Sequence, residues 1–561
     1  MLNMPEIHKF SCEVCDSLTH NPHSFMHNVL LAPKQFPANR PNVFLKTYAW
    51  LRGHPEQSTY WFTRIAILRL LGVVYFFGFY SATQQIVALI GEDGLLPLKL
   101  YSQALESRFG TSWFWDMPTL FWWGTSDTFL LSVCWIGVAL SIALIAGVAN
   151  APIMAALWAL YLSLNQIGQL FYGYGWEIQL LETGFLAIWL VPTWKIGLLR
   201  KDAPPPIALI WLYRWLIFRI MLGAGLIKLR GDPCWLDLTC LQYHYETQPI
   251  PNPLSWALHQ MPVWFHTLGI LSNHAAELVV PWLVFGPRRL RHLAGIVLVG
   301  FQISLIVSGN LSFLNWLTLI PCLACFDDSW FKVLFRRRHR ATYQTLLETA
   351  APRSTWFLPS RFHTVCVILL VVLIAYLSID PIRNLVSPGQ AMNRSFGRLH
   401  LVNTYGAFGS IGKTRHEIIL QGSHDNPKDA NARWLEYEFK CKPGTLDRRP
   451  CVLGPYHHRI DWQIWFAAMS NINRQPWLVH FIYKMLEGDK HTLDLLAHDP
   501  FADNPAKFIR AELYEYRFSS NTDEPELWWK RQRVREYMHP VSLDSPELHK
   551  FMQQRGWLTE D

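Results

Sequence analysis

Apolar residues gather into nine runs between positions 61 and 380. They lie near 65–90, 128–148, 151–168, 177–195, 206–228, 264–286, 293–309, 312–330 and 363–379. A helix that crosses a bilayer takes roughly 20 mostly apolar residues, so each run is a candidate span. The third and fourth runs stand close enough to form a hairpin or a re-entrant pair, and Pro321 breaks the eighth. The pattern predicts about nine spans, within a range of roughly five to eleven. Beyond residue 380 the pattern becomes that of an ordinary folded domain. Leu399–Tyr405, His416–Gln421, Trp434–Lys440 and Phe508–Phe518 carry β-branched and aromatic residues and read as strands. Trp462–Met469, Trp477–Glu487 and His491–His498 read as helices. The expected architecture is a polytopic α-helical membrane protein with a C-terminal α+β domain. It divides into an N-terminal segment at 1–60, a multi-span domain at 61–380 with a polar loop at 229–263, and the C-terminal domain at 381–561.

Composition supports the membrane reading. Of the 561 residues, 51% are hydrophobic and only 16% charged, against about a quarter charged in soluble proteins. The 27 tryptophans fit a chain with membrane interfaces, where indole rings settle at headgroup level. The net charge of +8 points to topology rather than to nucleic acid, because the bases cluster in short loops between apolar runs. Lys195, Arg200 and Lys201 follow the fourth run, and Arg288, Arg289 and Arg291 follow the sixth. Lys332, Arg336, Arg337, Arg338 and Arg340 follow the eighth. In a nine-span arrangement all three loops share one side, which the positive-inside rule makes cytosolic together with the N-terminus. The loop at 229–263 and everything after the ninth run then face a lumen. No cleavable signal peptide is visible in residues 1–60, so the first run is expected to act as a signal anchor. The end Leu558-Thr-Glu-Asp561 carries no KDEL-type retrieval tail.

The cysteines fit this orientation. Cys234 and Cys240 fall in the loop at 229–263, and Cys441 and Cys451 in the C-terminal domain. All four are disulfide candidates, since disulfides persist in oxidising compartments such as the ER lumen. Asn393-Arg-Ser395 is a candidate glycosylation site on the same side, whereas Asn310-Leu-Ser312 stands too near the membrane. Cys12-Glu-Val-Cys15 lacks the strand, helix or second ligand pair that redox or zinc chemistry needs, and reads as two reduced thiols. Cys322 and Cys325 sit in an apolar run and read as core residues.

Candidate chemistry is sparse. Arg64, Arg69, Glu177, Glu182, Arg214, Arg219, Lys228 and Glu277 interrupt apolar runs. A charge at the bilayer centre costs about 2.5–3.5 kcal/mol on insertion scales, so these groups are expected to pair, acids of the fourth and sixth runs with bases of the fifth. Arg214 and Lys228 fall about 40° apart on a helical wheel and share a face. In the loop, Trp235 sits between two cysteines, and His244 and Glu246 stand two apart, a spacing that could serve acid–base work. A rigid loop that caps the helices is the plainer reading. There is no G-x-S-x-G elbow, Walker A loop, H-E-x-x-H or kinase signature. No cofactor, metal or catalytic residue is expected.

Several strings resemble the lipase maturation factor family. They are Trp211-Leu-Tyr-Arg-Trp215, Phe218-Arg-Ile-Met-Leu-Gly-Ala-Gly-Leu-Ile-Lys-Leu-Arg-Gly-Asp232 and Tyr243-His-Tyr-Glu-Thr-Gln-Pro249 with Pro251-Asn-Pro253. Further on come Asn403-Thr-Tyr-Gly-Ala-Phe-Gly409, Tyr437-Glu-Phe-Lys-Cys-Lys-Pro-Gly444, Arg459-Ile-Asp-Trp462 and Asp499-Pro-Phe501. The resemblance runs from about Thr59 to Gly556. It implies an ER membrane protein, without established catalytic residues, that assists folding and dimer assembly of secreted lipases such as lipoprotein, hepatic and endothelial lipase. Client contact is implied for the C-terminal domain. Other ER folding factors and membrane lipids are further expected partners, and nucleic acid is not. A shorter likeness, Ala224-Gly-Leu-Ile-Lys228 followed by Trp235, is similar to the membrane part of the vitamin K-dependent γ-glutamyl carboxylase. There a lysine at the place of Lys228 is the candidate base, but Ile227 replaces that family's usual second lysine. The alternative it implies is a membrane enzyme or redox factor acting on a lumenal substrate around Lys228 and the loop at 229–263.

Overall fold

A computed structural model describes residues 59–110, 113–197, 203–334, 356, 360–520 and 526–558. Cys12, Cys15, Arg200, Lys201 and the arginines at 336–340 lie outside the described residues.

Each of the nine apolar runs is helical. They are α1 (Trp61–Ile90), α2 (Asp127–Ala146), α3 (Ala151–Ile167), α4 (Gly175–Leu190) and α5 (Ile207–Gly231). Next come α6 (Val263–Leu283), α7 (Arg288–Ser308), α8 (Leu314–Cys322) and α9 (Arg361–Leu377). Local chemistry sets the ends. Ser126 and Asn150 accept hydrogen bonds from the N–H groups of Phe129 and Ile153 and so cap α2 and α3. Gly147 ends α2 at φ +100°, a left-handed conformation that glycine adopts without strain. Among the described residues, five helices are long and apolar enough to cross a membrane: α1, α2, α5, α7 and the stretch Arg361–Val386, in which α9 continues into a short helix. That last stretch carries helix six residues past the domain boundary expected at 380. Of the rest, α3 and α8 are apolar but shorter. A π turn at Ala275–Val279 interrupts α6, and α4 has 16 residues, almost all buried among its neighbours.

The bundle has two distinct ends. At one, the Asp328 carboxylate accepts from the N–H groups of Trp61 and Phe62, and Asp327 pairs with Arg288 and Arg291. Arg64 donates to the Ala203 carbonyl there. The opposite end carries the loop at 229–263 and the C-terminal domain. Gln85 of α1 accepts from the Arg459 N–H, Gln390 donates to the Gly223 carbonyl, and Asn252 donates to the Val307 carbonyl.

The C-terminal domain is built on a four-stranded antiparallel sheet. Its strands are β1 (Arg415–Ser423), β2 (Leu435–Glu436), β5 (Phe508–Phe518) and β6 (Trp529–Val541), in the order β2-β1-β5-β6. A second pair joins β3 (Glu438–Phe439) to β4 (Leu496–His498). The helices are α10 (Arg459–Ala468), α11 (Pro476–Glu487) and α12 (Pro546–Gln554). Three expectations need correction. Leu399–Tyr405 is not a strand but an irregular strap with one isolated bridge, Ser395 to Asn403, because the Asn403 N–H and side chain turn to the Glu182 carboxylate of α4 rather than to a sheet. Trp434–Lys440 breaks at Tyr437 into β2 and β3, which serve different sheets. His491–His498 is helical only as far as Leu493 and then enters β4. The edge strand β6 escapes the sequence pattern because Lys530, Gln532, Arg533 and Arg535 leave it polar on both faces.

Candidate functional site

The segment expected to be a loop is largely helical. Pro233–Leu236, Leu241–Thr247 and Pro253–His259 form short helices. Asp232 starts the first, accepting from the Cys234 N–H, and Asn252 starts the third in a reciprocal arrangement with Ser255. Cys234 and Cys240 are joined as a disulfide with Cα atoms 4.9 Å apart, and Cys441 and Cys451 as a second, 5.6 Å apart. The first closes a small ring that holds Trp235 in place. The indole donates to the Phe408 carbonyl at 2.9 Å, and its ring lies 5.3 Å from the Lys228 ammonium.

Lys228 itself is fully engaged. Its Nζ lies 2.6 and 2.8 Å from the two carboxylate oxygens of Glu277, and Asn273 donates to the same carboxylate at 2.9 Å. Glu277 sits in the π turn of α6, whose extra residue per turn re-aims its side chain. Arg219 pairs with Glu182, and the Tyr405 hydroxyl and Asn403 N–H also reach that carboxylate, at 2.7 and 3.0 Å. The expected pairing of the fifth-run bases with fourth- and sixth-run acids therefore holds for Arg219 and Lys228. For Arg214 it does not: its guanidinium donates to the Ala324 carbonyl and the Tyr60 hydroxyl, since no acid of α4 or α6 reaches that end.

His244 and Glu246 do not come together. Two positions apart on a helix, they point about 200° from each other. The His244 ring meets Phe408 edge-on, and burial beside Lys228 pushes its pKa down to about 4. Glu246 faces the sheet, accepting from the Phe518 N–H with His259 3.9 Å away, and burial raises its pKa. The residues thus act as packing and docking groups, and the acid–base pair is not assembled. Asn393 is exposed and its side chain accepts from the Gly406 N–H, whereas Asn310 is buried against the Pro251 and Cys451 carbonyls. Cys322 and Cys325 are buried. Among the described residues no cluster of three or more His, Cys, Asp or Glu could hold a metal.

The residues that fasten the C-terminal domain to the bundle were the ones hardest to foresee. Arg459 at the start of α10 reaches Glu177 at 2.9 Å and the Phe171 carbonyl at 2.6 Å, and both charged groups are buried. Tyr161 and Trp176 complete that carboxylate's partners. Arg415 on β1 donates to the Glu246, Gln248 and Pro249 carbonyls, and pairs with Glu417, which Lys442 also meets at 3.1 Å. The strap at 403–409 lies against α5. A Cβ on Gly231 would stand 2.3 Å from the Gly409 oxygen, and one on Gly223 would stand 2.4 Å from the Tyr405 oxygen. The signal for this joint in the sequence was that three strings, Phe218–Asp232, Asn403–Gly409 and Arg459–Trp462, stood out as specific.

Fold and joint define a multi-pass helical membrane protein with a disulfide-bearing C-terminal domain fixed to one end of its bundle. Residues 62–333 match the lipase maturation factor transmembrane domain, and residues 401–539 match the lipase maturation factor C-terminal domain. The chain is 45% identical to lipase maturation factor 1 of Homo sapiens over 544 residues, which cover 94% of each chain. It is 45% identical to that of Bos taurus over 528 residues, covering 90% of this chain and 94% of the relative. Identity to lipase maturation factor 2 of Homo sapiens is 32%, over 88% of this chain and 84% of the relative. The chain belongs to the lipase maturation factor family. No solved structure matches it. These comparisons do not extend to the carboxylase likeness.

Proposed function

We propose that this protein is an ER membrane factor that brings secreted homodimeric lipases, among them lipoprotein, hepatic and endothelial lipase, to their active and secretable form. The observation that carries the reading is 45% identity to human lipase maturation factor 1 across 94% of both chains, spanning membrane and C-terminal parts alike. The proposed orientation sets the basic end of the bundle in the cytosol and the C-terminal domain in the lumen. Arg288 and Arg291 at one end and both disulfides at the other support it. The proposed role is assistance by binding rather than catalysis, because Lys228, His244 and Glu246 are each committed to structural partners. The test is complementation. Cells lacking their own maturation factor should secrete active lipoprotein lipase when given this chain, and should secrete none when it is cut after Val386, with lipase mRNA equal in both. Active lipase from the truncated chain would overturn the reading. Full rescue by Lys228→Met would remove the remaining ground for an enzyme at that site.

A further inference from the structure

Where α4, α5, α7 and α8 meet the C-terminal domain, they enclose a cavity of about 410 Å³. That volume falls in the ~300–1,000 Å³ range of small-molecule sites. Its mouth carries Met392, Asn393, Ser410, Phe466 and Met469, all exposed. Its inner wall carries Ile220, Met221, Phe301 and four polar side chains, Gln179, Gln302, Asn315 and Thr318. At 1.5 Å per residue, these inner residues stand roughly 2 Å (Asn315) to 16 Å (Ile220) below the helix ends that face the C-terminal domain. The cavity therefore descends from the level of that domain into the depth of the bundle.

Three features specify an occupant. The first is charge. Among the described residues Glu277 is the one acidic or basic group on the wall, and both of its oxygens are held by Lys228. An anionic headgroup would find no cation there, and a cationic one would have to break a buried ion pair. The second is the polar group within. Asn315 donates to Gln302 at 2.8 Å and Gln179 donates to Thr318 at 3.0 Å, which gives an uncharged patch suited to a hydroxyl or ester. The third is supply. Phe301 and Leu305 of the wall are partly exposed, and their neighbours Ile303 and Val307 lie open on the outer face of α7. A molecule dissolved in the bilayer meets this wall directly, whereas a protein side chain would have to pass well below the helix ends.

We propose that the cavity is a binding site for a neutral single-chain lipid of the monoacylglycerol class. Its uncharged head lies by the Gln302–Asn315 and Gln179–Thr318 pairs, and its chain runs along Ile220, Met221 and Leu305 towards the methionine-rimmed mouth. Methionine suits that rim because its flexible thioether adapts to chains of different shape.

The test uses the full chain in phosphatidylcholine nanodiscs with a monoacylglycerol that carries a diazirine in its acyl chain. After irradiation, saturable labelling should map to 220–224, 301–318 and 392–410. Unlabelled monoacylglycerol should compete, and oleate at pH 8 should not. Ala224→Trp, which fills the cavity, should lower the labelling by about tenfold or more at an unchanged melting temperature. Leu305→Trp serves the same purpose if the first variant does not fold, and the saturable wild-type map decides if neither does. Labelling confined to the outer faces of α7 and α9, equal competition by oleate, or labelling that survives a folded cavity-filling variant would each overturn the proposal. So would displacement of the probe by an apolar peptide but not by the lipid.

Discussion

At the scale of single residues, the buried charges carry the account. Arg459 and Glu177 are fully withdrawn from water, and removing one partner leaves the other uncompensated. Such a loss costs about 3–5 kcal/mol, whereas an apolar replacement of both is far milder. Arg459→Met should therefore lower the melting temperature sharply, and Glu177→Leu combined with Arg459→Met should recover much of the loss. Equal damage from the single and double variants would show that the pair does not couple the two parts. Asp461 makes a second residue-level case. Its carboxylate accepts from the Cys441 and Lys442 N–H groups, yet burial raises its pKa to about 6. A raised carboxyl pKa favours the fold below the unfolded value near 4, and that contribution fades as pH rises through about 6. Asp461→Asn should thus gain stability relative to the parent above pH 6, by up to about 3 kcal/mol, and show little difference near pH 4. Chemical denaturation at both pH values reads this directly. The intramembrane charges were legible in the sequence because a charge in an apolar run needs a partner. Arg415 and Arg459 were not, because a base in a polar domain carries no such signal, and only the fold shows what they reach.

At the scale of elements, the close contact between α5 and the strap at 403–409 decides whether the membrane part and the C-terminal part fit. Gly231→Ala places a methyl 2.3 Å from the Gly409 oxygen, a backbone atom that cannot swing aside. Overpacking of this kind costs about 1–3 kcal/mol. The expected outcome is a lower melting temperature and faster proteolysis of the strap. A change of similar size at Gly300, where an added Cβ meets nothing within 4 Å, would argue that helix propensity rather than contact is responsible. The nine apolar helices were readable because length and hydropathy over a whole run outweigh local noise. The sheet was read less completely. β1 and β5 have apolar cores that show in the sequence, while β6 is an edge strand whose Arg533 pairs with Glu512 on the adjacent β5 and whose Arg531 reaches Glu436 of β2. An edge held by cross-strand charge leaves no alternating apolar pattern to find. The strap failed as a predicted strand for a related reason, since the Asn403 N–H is satisfied by the Glu182 carboxylate and not by a ladder.

At the scale of the whole molecule, the end that bears the C-terminal domain is held by groups that must stay uncharged. Burial depresses the pKa of His244, His259, His400, His458 and His480 to about 4, and holds that of His457 well below the usual histidine value. His457 meets Ser312 and His480 meets the Leu95 carbonyl, so both lie on the joint with the bundle. A depressed histidine pKa gives stability that is present above the unfolded value near 6.5 and is lost as pH falls towards 4. Six groups of this sign outweigh the opposite trend of Asp461 and Glu246, so the melting temperature should drop by several degrees between pH 7.5 and pH 5. A flat profile would contradict the neutral burial of these rings. The central claim, that the domain fixed to the non-basic end works in an oxidising lumen where secreted lipases mature, is tested most directly by protease protection. In sealed microsomes from cells expressing the chain, an epitope placed after Asp561 should resist added protease until detergent opens the vesicles. Digestion of that epitope in intact vesicles would put the domain in the cytosol and contradict the account.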